Sequence, residues 1–233
     1  MPYAIFSLMG GLIIVAAAWL IVAANRRGAA AREELTDRAA THGWRYVRSL
    51  GGSKGDFRIE GSTRGTAEWT ITSWSIASES RRNRLEYLLP SGDATGASFA
   101  IGSAKQLAGL PQFAAFTEQH PHAAKLISKI AAPMSGLLAI VSEGVVEPLG
   151  SPTFSATFGA IRTRDGRMPV RMTPELESLF LTWPAGITDP GSAVTAWRDV
   201  TGLHVQLIAP ADPPFEIIEH LAALGEALGA SLT

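Results

Sequence analysis

Residues 57–89 read FRIEGSTRGTAEWTITSWSIASESRRNRLEYLL, and the alternation within this stretch decides the fold. Phe57 and Ile59 are separated by one polar residue, as are Trp69 and Ile71; Leu85, Tyr87 and Leu89 repeat the pattern. A strand points successive side chains to opposite faces, so a period of two makes one face apolar and the other polar. Thr63-Arg64-Gly65 supplies a turn between the first two runs. The stretch therefore predicts an antiparallel meander with one aromatic face. Upstream, Trp44-Arg45-Tyr46-Val47-Arg48 alternates aromatic and basic residues and adds a strand. Downstream, Pro90-Ser91-Gly92-Asp93 breaks the pattern, and Ser98 to Ile101 offers a fifth short strand.

Beyond the meander the periodicity changes. Residues 103–132 read as helical, cut into short pieces by Pro111 and Pro121. Leu137 to Val141 is an apolar run that reads as a buried strand. Phe154–Arg162 and Arg167–Met172 flank Asp165-Gly166, a dipeptide suited to a two-residue hairpin turn. Thr173-Pro174-Glu175 opens a helix with an N-cap, an N1 proline and an acid at the positive dipole end, and Pro184 limits it. Leu203, Val205 and Leu207 alternate with His204 and Gln206 in another strand. Phe215, Ile218, Leu221, Leu224 and Leu228 line one side of a C-terminal amphipathic helix. Strands come in runs rather than in βαβ alternation, so the class is α+β.

The chain opens differently. Tyr3 to Ala24 is 22 residues without a charge, and at about 1.5 Å per residue it spans roughly 33 Å, enough for a hydrocarbon core of about 30 Å. Ten of these residues are Leu, Ile, Phe or Val. The reading is a single N-terminal transmembrane helix. A cleaved signal peptide is the rival, with the small residues Val22-Ala23-Ala24 at its end, but the run is long and no basic n-region precedes it. Arg26, Arg27 and Arg32 follow the span, which by the positive-inside rule puts the N-terminus outside and the bulk of the chain in the cytoplasm; an extracytoplasmic domain is the alternative. Ser7 and Gly11 form a small-xxx-small pair suited to helix pairing, though such residues are common in spans. The expected organisation is an anchor over 1–25, a juxtamembrane helix over 26–43 with Gly43 at its C′ position, and an α+β domain over 44–233 with a sub-boundary near 103.

Charge divides along the chain. Residues 1–90 hold 12 Lys+Arg against 8 Asp+Glu, and residues 91–233 hold 8 against 13. The basic part adjoins the anchor, where anionic headgroups attract it. Arg outnumbers Lys by 16 to 4, a codon bias that suggests a bacterial source and hence an inner-membrane address. The absence of cysteine excludes disulfides, thiolate zinc sites and a cysteine nucleophile. Nucleic acid is not an expected partner, because no recognition motif joins the aromatics to basic residues.

Catalytic and cofactor signatures are absent. Gly51-Gly52-Ser53-Lys54-Gly55 lacks phosphate-loop spacing, and Ser103 with Lys105 reads as a plain helix start. Ser142 lacks the glycines of a nucleophile elbow. Glu118, His120 and His122 are interrupted by Pro121 and read as an exposed corner rather than a zinc site. His204 lies opposite the apolar side of its strand and His220 sits beside Glu219, neither with a predicted partner; Glu175 and Glu177 read as helix-opening residues. One constellation follows from geometry. A two-residue turn at Asp165-Gly166 would place Arg162, Arg164, Arg167 and Arg171 on one face of a hairpin, with Met168 and Val170 on the other. Arginine favours planar carboxylate or phosphate partners, so this face is a candidate anion or partner contact, the alternative being a solvated hairpin neutralised by nearby acids. Arg81, Arg82 and Arg84 read as a second basic loop. The expected role is a non-enzymatic, membrane-anchored module that binds a protein partner or an anionic membrane surface, without a cofactor. The alternative is a membrane-bound enzyme whose site is assembled from scattered residues.

Overall fold

The computed structural model describes residues 33–48, 56–63, 67–75, 82–91, 97–105, 107, 109, 135–164 and 167–232. The chain divides into two units, 1–46 and 47–233. In the first, residues 33–41 form helix α1, with Glu34 and Arg38 one turn apart at 4.0 Å. Gly43 adopts φ 71° just past its end, the left-handed conformation expected of a C′ glycine. The run Tyr3–Ala24 with Ser7 and Gly11, the flanking Arg26, Arg27 and Arg32, and the cluster around His120 lie outside the described residues. Among the described residues no helix is long and apolar enough to cross a membrane.

Strand β1 (Arg45–Arg48) straddles the boundary between the units. The second unit adds β2 (Phe57–Thr63), β3 (Ala67–Ser75), β4 (Arg82–Pro90), β5 (Phe99–Ser103), helix α2 (Ser135–Glu143), β6 (Val145–Glu147), α3 (Pro152–Thr157), β7 (Phe158–Arg162), α4 (Pro174–Leu181), α5 (Pro190–Ala193), β8 (Val194–Asp199), β9 (Gly202–Pro210) and α6 (Phe215–Ala230). The class is α+β, and the second unit is built on a large sheet in the order β2-β3-β4-β9-β8-β5-β7-β6. Every pairing from β2 onward is antiparallel.

The meander β2-β3-β4 forms as its alternation predicts. Phe57, Ile59, Trp69, Ile71, Leu85 and Tyr87 are buried on one face, and the register sets Ile59 opposite Ile71 and Ile71 opposite Tyr87. The next neighbour of β4, however, is β9 rather than β5. Strand β9 matches β4 along its whole length, from Arg82 opposite Pro210 to Pro90 opposite Gly202, whereas β5 has only five residues and pairs with β7 and β8. Helix α6 packs on β4 and β9, burying Phe215, Ile218, Leu221, Leu224 and Leu228 as its spacing predicts, together with Ile217 and Ala222. Gly225 is required there, because a Cβ would enter the Tyr87 ring. Burial pushes the Tyr87 phenol well above its ordinary range; the Glu226 carboxylate adds to the shift and Thr63 opposes it.

Three expectations are corrected. Residues 137–141 are helical, not a strand: Leu137, Ile140 and Val141 fall at i, i+3 and i+4, and α2 buries them against Ala100, Leu107, Ile161 and Trp197. The hairpin across Asp165-Gly166 does not form. Residues 152–157 are helical, and β7 lies between β5 and β6, so both of its hydrogen-bonding edges are occupied. Residues 167–169 are not in a strand, and Val170 makes an isolated bridge to Leu232 instead. Finally, Arg82 and Arg84 belong to β4 rather than to a loop.

Helix α4 forms as its capping residues predict. Thr173 accepts a hydrogen bond from the Leu176 amide at 3.2 Å, and the helix ends at Leu181. Its Phe180 packs edge-on against Phe154 and Phe158. The Glu177 carboxylate reaches back to the Ser151 amide and hydroxyl at 2.7 and 2.6 Å, tying α4 to the start of α3.

Candidate functional site

Alternation along β4, β9 and β8 sends Arg82, Arg84 and Glu86, His204 and Gln206, and Thr195, Trp197 and Asp199 to the face opposite Tyr87. The register confirms the grouping: Glu86 stands opposite Gln206, which stands opposite Thr195, and His204 lies between Leu88 and Trp197. Helix α2 packs on this face at Trp197. The remainder carries a polar network centred on His204.

His204 is 8% exposed. Its Nδ1 faces Glu86 Oε1 at 2.7 Å, and a carboxylate can only accept, so Nδ1 carries the proton of that contact. Its Nε2 lies 2.8 Å from Thr201 Oγ1 and 3.4 Å from Asp199 Oδ1. The Trp197 indole stacks on the imidazole, 4.7 Å between centroids and 3° between planes. The ring is thus held at both nitrogens and on one flat side.

Asp199 organises the far end. It precedes the two-residue connection Val200-Thr201 between β8 and β9, where Gly202 takes φ 148° and leaves no room for a side chain against Leu89 and Pro90. Asp199 Oδ1 accepts from the Thr201 amide at 2.8 Å and from the Thr201 hydroxyl at 2.5 Å. Its Oδ2 accepts from the Trp197 indole at 3.3 Å and also lies against Gly136, where any side chain would collide with it. Burial pushes the Asp199 carboxyl up, but the Thr201 hydroxyl and amide, His204 and the Trp197 N–H together hold it below the usual carboxylate range. A carboxyl depressed in the folded state stabilises the fold above its unfolded value and loses that contribution as pH falls through the folded value. Asp199→Asn is therefore expected to flatten the acid limb of the stability curve below about pH 4, the ordinary aspartate range. Urea midpoints measured between pH 2.5 and 6 for the two proteins check this; parallel curves would contradict it.

Two donors on the same face lack an acceptor. Gln206 is 5% exposed and its Nε2 is buried without a hydrogen bond, as is Arg84 Nε. Arg84 stands opposite Ile208, and Arg82 and Ile208 line a cavity of about 400 Å³ together with Thr188, Asp189, Ser192 and Pro210. The two carboxylates around His204 approach different nitrogens, so they do not converge on one point, and among the described residues no cluster of three acids or histidines could hold a metal.

The arginines picked out in the sequence are dispersed. Arg162 is engaged on β7, its Nε 2.5 Å from Glu147 Oε2 and its Nη1 donating to the carbonyls of Thr163 and Arg164. Arg164, Arg167 and Arg171 are exposed and share no strand face with it. Arg82 is exposed and Arg84 half-buried on β4; Arg81 lies outside the described residues. His220, read without a partner, meets the Leu179 carbonyl at 2.7 Å and the Trp183 ring at 4.4 Å. Sequence reasoning missed the His204 network because its members lie 118 positions apart in the case of Glu86. The available signal was local: His204 and Gln206 are polar residues in a strand whose other face is apolar, next to an Asp-x-Thr-Gly turn. The chain matches no known protein family, no curated protein and no solved structure.

Proposed function

We propose that this protein is a single-pass membrane-anchored module whose α+β domain binds a partner from the cytoplasmic side, with anionic groups as the recognised chemistry. The carrying observation is the uncharged run Tyr3–Ala24 followed by Arg26, Arg27 and Arg32, which favours an uncleaved span with its C-terminal side in the cytoplasm of a bacterial cell. The basic balance of residues 1–90 and the exposed Arg164, Arg167 and Arg171 support an anionic membrane surface or an acidic protein as the partner. Alkaline phosphatase fused after Thr233 is expected to be inactive and a green fluorescent protein fusion bright, with the chain retained in the membrane after carbonate washing. An active phosphatase fusion would place the domain outside the cytoplasm.

A second reading has one observation in its favour. Glu86, His204 and Thr201 form an acid–imidazole–hydroxyl chain with contacts of 2.7 and 2.8 Å, the order used to activate a nucleophile. Asp199 opposes it, because the single hydroxyl proton of Thr201 is directed to Oδ1 at 2.5 Å. Hydrolysis of nitrophenyl esters that disappears in Thr201→Val would favour the enzyme.

A further inference from the structure

We propose that the β8–β9 turn, residues 199–202, is held by a proton-operated latch: it is closed while the His204 imidazole carries a proton on both nitrogens, and it opens at Thr201 when one is lost. This device needs neither the anchor nor its orientation. It follows from the protons available along a chain whose two ends can only accept. The chain runs from Glu86 Oε1 to His204 Nδ1 at 2.7 Å, from His204 Nε2 to Thr201 Oγ1 at 2.8 Å, and from Thr201 Oγ1 to Asp199 Oδ1 at 2.5 Å. Three links need three protons. The Thr201 hydroxyl supplies one, and the imidazole supplies two when charged but only one when neutral.

The surroundings decide which link is lost. A neutral ring protonated at Nε2 would turn a bare Nδ1 lone pair towards the Glu86 carboxylate, so the remaining proton stays on Nδ1 and Nε2 becomes an acceptor. Thr201 then has one proton for two acceptors, Nε2 and Asp199 Oδ1. Burial pushes the Asp199 carboxyl up, but the Thr201 hydroxyl and amide, His204 and the Trp197 N–H hold it below its usual range, so it stays an acceptor across neutral pH. The ring cannot swing away to relieve the shortage, because it is buried and Trp197 stacks on it with 3° between planes. Thr201 is exposed, so the adjustment falls on the turn. There the Thr201 amide donates to Asp199 Oδ1 at 2.8 Å, its carbonyl accepts from the Ser91 amide at 3.3 Å, and Val200 is presented to solvent at 68% exposure. Among the described residues, the ionisable groups turned to the ring are Glu86 on β4 and Asp199 on β8. Arg84 shares the face but stands opposite Ile208, further from His204. Helix α2 carries one ionisable residue, Glu143, at the end away from the Gly136 that meets Asp199. Of the groups in the chain, only an imidazole ordinarily changes charge between about pH 5 and 8.

The test uses the full chain in neutral detergent, labelled uniformly with ¹⁵N and with ¹³C in the rings of its five histidines. Ring shifts and amide hydrogen exchange, corrected for intrinsic base catalysis, are followed from about pH 5 to 8.5. Protection of the amide at position 201 is expected to fall about tenfold, the worth of one hydrogen bond, with the same midpoint as the His204 ring. Thr201→Val should leave the ring titrating and abolish the step at that amide, whereas Thr201→Ser, which keeps the hydroxyl, should retain it. Protection that stays constant while the ring titrates, or that steps equally in Thr201→Val, would overturn the latch. So would a His204 ring with no transition in this range. If a variant fails to fold, the wild-type comparison of ring and amide decides the matter alone.

Discussion

Replacing His204 by alanine is expected to lower the unfolding free energy by about 3–5 kcal/mol, the cost of removing one partner from a buried charged cluster. The groups concerned are nearly enclosed, with side-chain exposures of 14% for Glu86 and 16% for Asp199 on either side of the buried His204. Without the imidazole, Glu86 loses its donor at 2.7 Å, Trp197 loses its stacked partner, and two carboxylates face one another across the gap. His220→Ala is the control. It removes a hydrogen bond to the Leu179 carbonyl and a tilted contact with Trp183, and leaves no charge behind; about 1–2 kcal/mol is expected from the hydrogen bond. Denaturant midpoints followed by tryptophan fluorescence make the comparison, with Trp197 a direct reporter. A His204 effect no larger than that of His220 would contradict the network described above. A double-mutant cycle with Glu86→Gln should show strong coupling, because the pair acts as a unit.

The second large effect concerns Trp69. Trp69→Ala is expected to cost about 3–5 kcal/mol, as large aromatic truncations in cores do. Trp69 is fully buried, lies 5.4 Å from the Tyr87 ring and donates from its indole to Glu226 Oε1 at 2.9 Å. Its ring also covers Gly61, its direct cross-strand partner, so that a Cβ at Gly61 would sit inside the indole. Gly61→Ala alone is therefore expected to cost about 1–3 kcal/mol through overpacking. In the Trp69→Leu background the same change should be close to neutral, because the space is released. Additive costs in the double variant would show that Gly61 is needed for its backbone and not for the room it leaves.

The parts of the fold that could be read along the chain share one property: their cause is local. The period-two runs of β2, β3, β4 and β9 follow from which face each residue occupies, and Thr173-Pro174 starts α4 through its own side chain and ring. Gly43 takes a positive φ for the same kind of reason. Leu137–Val141 was ambiguous because a five-residue apolar run fits a buried strand and one helical face equally well, and the choice was made by the partners, Trp197 and Ile161 among them. The Asp165-Gly166 hairpin failed although its turn chemistry is sound, because β7 was claimed on both edges by β5 and β6. The arginine constellation built on that hairpin dispersed with it. Strand β8 escaped notice, its apolar residues set among Thr195, Arg198 and Asp199.

By itself, then, the sequence determined the class of the domain, the aromatic face of the meander, the helix ends at Gly43 and Thr173, and the apolar stripe of α6. Tertiary structure decided that β9 rather than β5 lies beside β4, that residues 137–141 coil into a helix, and that His204 lies among Glu86, Asp199, Thr201 and Trp197. Propensity, capping and periodicity act over a few residues and leave a trace in composition. Strand order and the meeting of Glu86 with His204 depend on the matching of lengths, edges and faces between segments more than a hundred residues apart, for which a linear pattern carries no marker.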